Sequence, residues 1–115
     1  MHNKHMNWLL KRLGFRRKDQ VWAALGTARA NGKDDRYPSG EKHAFLVMAH
    51  SDEQHVQERV AALLYSNGWK DVDTERIKLL DRPFHSADAV MVGCYDATEQ
   101  KGSAVVIYSD PISDL

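Results

Sequence analysis

The sequence predicts an α+β fold in which a short N-terminal helix precedes strands and helices in the order β-β-α-β-α-β. Two observations support this prediction. Apolar runs of strand length recur along the chain, and two longer stretches between them repeat their apolar residues at helical spacing. Four strands in this order predict a mixed four-stranded sheet packed with two main helices. We expect a single domain over residues 1–115, with a basic amphipathic segment at 1–18 and an α/β core at 20–110.

The first two strands enclose a polar loop. Residues 6–14 read as the short N-terminal helix, and apolar alternation over 20–29 predicts the first strand. Residues 30–42 are dense in Gly, Asp, Asn and Pro, which is typical of a loop. The run AFLVMA at 44–49 is apolar at every position, so we expect a central strand buried on both faces.

The first main helix has clear signals at both ends. Ser51 is the expected N-cap, and Gln54 stands three residues on as its capping-box partner. Val56 and Val60 then recur at helical spacing, and Gly68 is placed to end the helix.

The second half of the chain holds one ambiguous element. Residues 70–81 alternate as a strand, and 103–108 predict the last strand. Between them, 86–101 could form a helix or a strand paired as a hairpin with 103–108. Ser86 as a cap and Gly102 as a terminator favour the helix.

No catalytic motif is present in the sequence. There is no glycine-rich phosphate loop, and no serine stands in a strand–turn–helix elbow. Cys94 lies in an apolar run without a basic neighbour, which favours a buried structural thiol over a nucleophile. We therefore expect a protein that is not an enzyme and uses no cofactor.

The composition favours a cytosolic protein. A single cysteine excludes an internal disulfide and suits a reducing compartment. No apolar run reaches the roughly 20 residues that span a bilayer, and the run at 8–10 is too short for an export signal. The sequence leaves open whether residues 1–5 belong to the native start, because Met6 follows them.

Four polar residues around the start of the first main helix suggest either a metal site or a polar helix face. His50, Asp52, His55 and Glu58 cluster around the start of the first main helix. They lack the i, i+4 pair of histidines that places two imidazoles on one metal ion. We therefore expect no metal, and a small enzyme or metal-binding protein is the least favoured alternative.

Charge divides the chain into two unlike parts. Residues 1–42 contain ten Lys and Arg against four Asp and Glu, whereas 43–115 contain six against twelve. This asymmetry suits interaction surfaces, two ends that attract each other, or plain solvated faces. The basic end predicts an alternative function, a small nucleic-acid-binding accessory protein, whose contact residues would be Lys11, Arg12, Arg16, Arg17 and Lys18. The acidic remainder would repel phosphate, which makes nucleic acid an unfavoured partner.

The segment 6–18 allows three interpretations. Basic and aromatic residues together are typical of a nucleic-acid-binding segment or of a short membrane-surface helix. A helix docked on its own domain is the interpretation we favour, with its apolar side covering part of the sheet through Trp8, Leu9, Leu13 and Phe15.

The layout of the chain resembles that of small bacterial immunity-type proteins of contact-dependent inhibition systems. The stretches concerned are MNWLLKRLGFRRK, VWAA, AFLVMA, ERVAALLYSNGW and GSAVVIYSDP, which span most of the chain. The resemblance implies a cytosolic, non-catalytic α/β protein that binds and neutralises a cognate toxin domain. Separately, the acidic part of the chain predicts a surface for a basic partner such as a nuclease toxin, formed by Asp71, Asp73, Glu75, Asp81 and Asp88.

Overall fold

A computed structural model describes residues 20–114. It contains four strands and two helices, which are β1 (Gln20–Ala30), β2 (Lys42–Ser51), α1 (Val56–Ser66), β3 (Trp69–Leu79), α2 (Ala89–Lys101) and β4 (Ser103–Ile107). The predicted α+β class and the predicted order of these elements are confirmed. The short helix predicted at 6–14 lies outside the described residues.

The four strands form one open sheet in the order β3-β1-β2-β4. Every neighbouring pair is antiparallel, so the predicted mixed sheet is corrected to an antiparallel one. The sheet is antiparallel because the chain leaves β2 through α1 and returns as β3 on the far side of β1. Strands β2 and β3 run in the same direction, as a β-α-β connection requires, but β1 lies between them and no parallel strands become neighbours.

The two helices cover opposite faces of this sheet. On one face Phe45 belongs to a buried cluster with Leu64 of α1, and on the other Met48 belongs to a cluster with Cys94 of α2. Successive strand side chains point to opposite faces, so β2 supplies both clusters. Residues 45–49 are at most 1% exposed, which confirms a central strand buried on both sides.

The segment 86–101 contains a helix and not a hairpin strand, as the two end signals predicted. Asp88 is its N-cap, and Gly102 ends it in the left-handed conformation with φ 96°. The predicted cap Ser86 lies two residues before Asp88, and its hydroxyl accepts a hydrogen bond from the Asp88 backbone N–H at 3.1 Å.

The start of α1 also differs from the prediction. Ser51 is the last residue of β2, paired with Gln20, so its backbone is extended and it does not cap the helix. A turn follows in which the Asp52 carboxylate accepts a hydrogen bond from the His55 backbone N–H at 2.9 Å, and α1 begins at Val56. Strand pairing therefore overrides the capping signal at Ser51.

Candidate protein-interaction surface

Strand β3 forms one edge of the sheet. Within residues 20–114 it pairs only with β1, so the backbone N–H and C=O groups on its other side have no strand partner there. The strand is eleven residues long and mostly exposed. A long free edge is a surface on which an extended segment of another protein can add as a further strand.

Two irregularities interrupt the pairing of this edge strand with β1. One lies opposite Leu25 and Gly26, and the other lies opposite Thr27 and Arg29. In the second, Asp71 has a positive φ of 50°. Bulges and charged side chains are the features by which edge strands avoid indiscriminate pairing. We therefore expect this edge to accept only partners that match its shape and charge.

Four of the five predicted partner-binding acids lie on this edge strand or directly after it. Asp71, Asp73 and Glu75 are exposed on β3, and Asp81 is exposed two residues beyond its end. Asp71 has Arg29 as an electrostatic neighbour. The carboxylates of the other three form no ion pair or hydrogen bond with any residue in the described range, and within that range they are available to a partner.

The fifth predicted acid, Asp88, caps the N-terminus of α2. Its carboxylate accepts hydrogen bonds from the backbone N–H groups of Val90 at 2.9 Å and Met91 at 3.2 Å. These bonds satisfy two of the free N–H groups at the start of α2. An Asp directly before an apolar helical run is a recognised N-cap signal, so the capping role of Asp88 could have been predicted from the sequence. A role for Asp88 in partner binding stays a prediction.

A groove lies beside this strand on the face of the sheet that α2 covers. Its cavity volume is about 290 Å³. We call it the α2-side groove, and it is lined by Ala23, Leu25, Leu46, Arg76, Lys78, Leu80, Phe84, His85, Ser86 and Met91. Most of these side chains are apolar, whereas two from β3 are cationic. No local pattern in the sequence indicates this groove, because its residues are separated by up to 68 positions in the chain.

The loop after β3 forms one rim of the groove through Phe84, His85 and Ser86, and a hydrogen-bond network around Glu99 holds this loop. The Glu99 carboxylate accepts two bonds from Arg82 at 2.9 Å, one from the Tyr95 hydroxyl at 2.6 Å and one from His50 Nε2 at 2.9 Å. Burial alone would raise the pKa of Glu99, but these hydrogen bonds lower it to about 2. Phe84 packs against the Tyr95 ring with centroids 5.4 Å apart. The loop before α2 is thereby fastened to the helix.

A second polar cluster surrounds a buried histidine. The His43 side chain is 1% exposed, with Nδ1 2.7 Å from the Tyr108 carbonyl oxygen and Nε2 2.7 Å from a Glu41 carboxylate oxygen. Both ring nitrogens therefore have a hydrogen-bond partner. Tyr37 and Trp69 enclose the ring at centroid distances of 5.0 and 5.6 Å. This cluster joins the end of β4 to β2.

The residues of the metal hypothesis are engaged in separate pairs. His50 contacts Glu99, whereas His55 Nδ1 contacts Asp52 at 2.8 Å. Among residues 20–114, no group of three or more His, Cys, Asp or Glu side chains is arranged to hold a metal ion.

Cys94 lies on the side of α2 that packs against the sheet and is buried, as its apolar surroundings predicted. Burial raises the pKa of its thiol, which disfavours the reactive thiolate.

The basic residues of the nucleic-acid alternative, from Lys11 to Lys18, lie outside the described residues, as does the segment 6–18 as a whole. The nucleic-acid alternative and the three interpretations of that segment therefore stay predictions. In the described part of the chain, no helix has the length and apolar character needed to cross a membrane.

Comparison of the chain with models of known protein families, with curated protein sequences and with solved structures found no match. The described residues form an α+β domain with an open antiparallel sheet and one helix on each face.

Proposed function

We propose that this protein is a cytosolic, non-catalytic binding domain that acts as an immunity protein, neutralising a cognate toxin domain by binding it. The observation that supports the proposal most directly is the free edge of β3, on which Asp73 and Glu75 are exposed and unpaired within the described range. An edge with unsatisfied backbone groups and free carboxylates offers both shape and charge to a partner.

The charge of the core suits a basic partner. Residues 20–114 contain ten Lys and Arg against fifteen Asp and Glu, a formal balance of −5. A nuclease toxin domain is expected to be basic, since it binds nucleic acid. Opposite charges accelerate the encounter of two proteins and fix their orientation, and this electrostatic attraction weakens as salt concentration rises.

Co-expression with the products of the genes that flank this one tests this function. We expect a stable complex and protection of the host cell from the toxin. Reversing two charges in Asp73→Lys/Glu75→Lys should weaken the complex at least about tenfold, since both acids would then repel a basic partner. The control is Asp96→Lys, at an exposed position of α2 away from the edge strand. It should bind like the parent protein.

Absence of both a complex and protection would refute the immunity function. A complex that forms equally well with the double variant would leave the function standing but remove the β3 acids from it. Salt-dependent binding of RNA or DNA, lost in Arg16→Ala/Arg17→Ala/Lys18→Ala, would instead support the nucleic-acid alternative.

A further inference from the structure

We propose that the α2-side groove binds an extended segment of the partner protein in which a large apolar side chain stands next to an acidic one. The inference rests on the proposed protein-binding function and adds the chemistry that the partner must contribute. Two properties of the groove support it, an apolar floor that no helix covers and a cationic wall without side-chain partners, both within residues 20–114.

The apolar floor is exposed at the middle of an inner strand. Leu25 is 38% exposed although β1 lies between two other strands, whereas its floor neighbours Ala23 and Leu80 are each 7% exposed. The cause is the position of α2, which packs mainly against β4 and β2 and leaves the β1 and β3 part of this face without a helix in the described structure. The cavity of about 290 Å³ is at the lower end of ligand-site volumes, which suits a single large side chain.

The wall of the groove is cationic. In the antiparallel register Arg76 lies opposite Leu25 and Lys78 lies opposite Ala23, so both basic side chains share the face of the apolar floor. His85 adds a third nitrogen-bearing side chain to the lining. Within residues 20–114, none of these three side chains forms an ion pair or a hydrogen bond. A carboxylate beside an inserted apolar group would supply the missing acceptor, bidentate in the case of arginine.

The same charges argue against the chain's own N-terminal segment as the occupant. Residues 6–18 are rich in apolar residues, but they contain five Lys and Arg and no acid. Like charges brought together at a contact destabilise it. An acidic segment of a partner removes this repulsion and neutralises the wall.

Selection from a library of random peptides displayed on phage, against the immobilised full-length protein, tests the inference. We expect the enriched peptides to share an Asp or Glu next to a Leu, Phe or Trp. In fluorescence anisotropy, affinity for such a peptide should fall at least about tenfold in Arg76→Gln/Lys78→Gln and in Leu25→Gln. The matched control Lys33→Gln/Lys70→Gln removes two exposed charges outside the groove and should bind like the parent.

Each other outcome overturns the inference. Enriched peptides without acids, no enrichment, or affinities unchanged by the groove variants would remove the groove as an acidic-segment site. Loss of binding only in Asp73→Lys/Glu75→Lys would assign the peptides to the β3 acids. Competition by a synthetic peptide of residues 6–18 would assign the groove to the chain's own segment. A toxin complex that forms normally with the groove variants would overturn this inference and leave the proposed function intact.

Discussion

Arg82 and Glu99 form a bidentate pair that joins the loop after β3 to the last turns of α2. Both guanidinium–carboxylate distances are 2.9 Å, and the pair stands at the rim of the α2-side groove. Such paired hydrogen bonds fix direction as well as distance. The pair therefore holds the loop that contains Phe84 against the helix, and we regard the groove as preformed.

Replacing Glu99 should loosen this rim. Glu99→Gln keeps the shape of the side chain but removes the charge that Arg82, Tyr95 and His50 share. We expect a loss of about 1.5–3 kcal/mol in the free energy of unfolding, which is the range for hydrogen bonds to charged groups. Urea denaturation at neutral pH measures it. Glu53→Gln, at an exposed position before α1, is the control and should be near neutral. Equal stability of the two variants would contradict the account of the rim.

Low pH should reduce the free energy of unfolding through the Glu99 carboxylate. The pKa of Glu99 is lowered from 4.5 to about 2 in the folded protein, so its contribution to stability is fully present above pH 4.5. It is lost as the pH falls from there towards 2, because the unfolded chain then takes up a proton that the folded protein does not. Stability measured across this window should decline less steeply in Glu99→Gln than in the parent. If the stability of the parent and of Glu99→Gln declined equally over this pH range, the hydrogen-bond network around Glu99 would be contradicted.

Gly26 should be irreplaceable because β1 and β3 approach each other closely there. A Cβ at this position would meet the Asp73 carbonyl oxygen and would lie 2.9 Å from both the Thr74 Cα and the Phe45 ring. We expect Gly26→Ala to destabilise the fold by at least about 2 kcal/mol through strain. Gly93 of α2 has open space around its Cα, so Gly93→Ala should stabilise by about 0.5–1 kcal/mol. Thermal unfolding of both variants tests the contrast, and similar effects in the two would refute it.

The buried histidine should matter through its two nitrogens. His43→Phe keeps a ring against Tyr37 and Trp69 but removes the bonds to Glu41 and the Tyr108 carbonyl. Leaving these acceptors unsatisfied should cost about 1–3 kcal/mol of unfolding free energy. The same substitution at the exposed His85 should change stability by less than about 0.5 kcal/mol. Chemical denaturation compares the two, and equal losses would show that the nitrogens contribute nothing.

Local patterns were sufficient to predict the four strands and two helices that residues 20–114 contain. The uniformly apolar run of β2 predicted burial on both faces because side chains alternate along a strand, and Gly102 marked the end of α2. Local signals failed where strand pairing competed with them. Ser51 looked like a helix cap, but its pairing with Gln20 keeps it in β2.

The strand order and the groove could not be predicted from these local patterns. The sheet is antiparallel because β3 pairs with β1, and contacts between distant parts of the chain determine that pairing. The groove brings Leu25 near Phe84, and periodicity within one segment contains no information about such a juxtaposition. The exposed acids of β3 were predicted because alternation along a single strand places them, although their role in binding remains a prediction.

Hydrogen–deuterium exchange on the protein, alone and with a toxin domain that forms a complex with it on co-expression, tests the central claim most directly. If the toxin binds at the free edge, backbone amides of β3 should gain protection in the complex, whereas those of the buried strand β2 should not change. A complex in which β3 exchanges as fast as in the free protein would contradict binding at this edge.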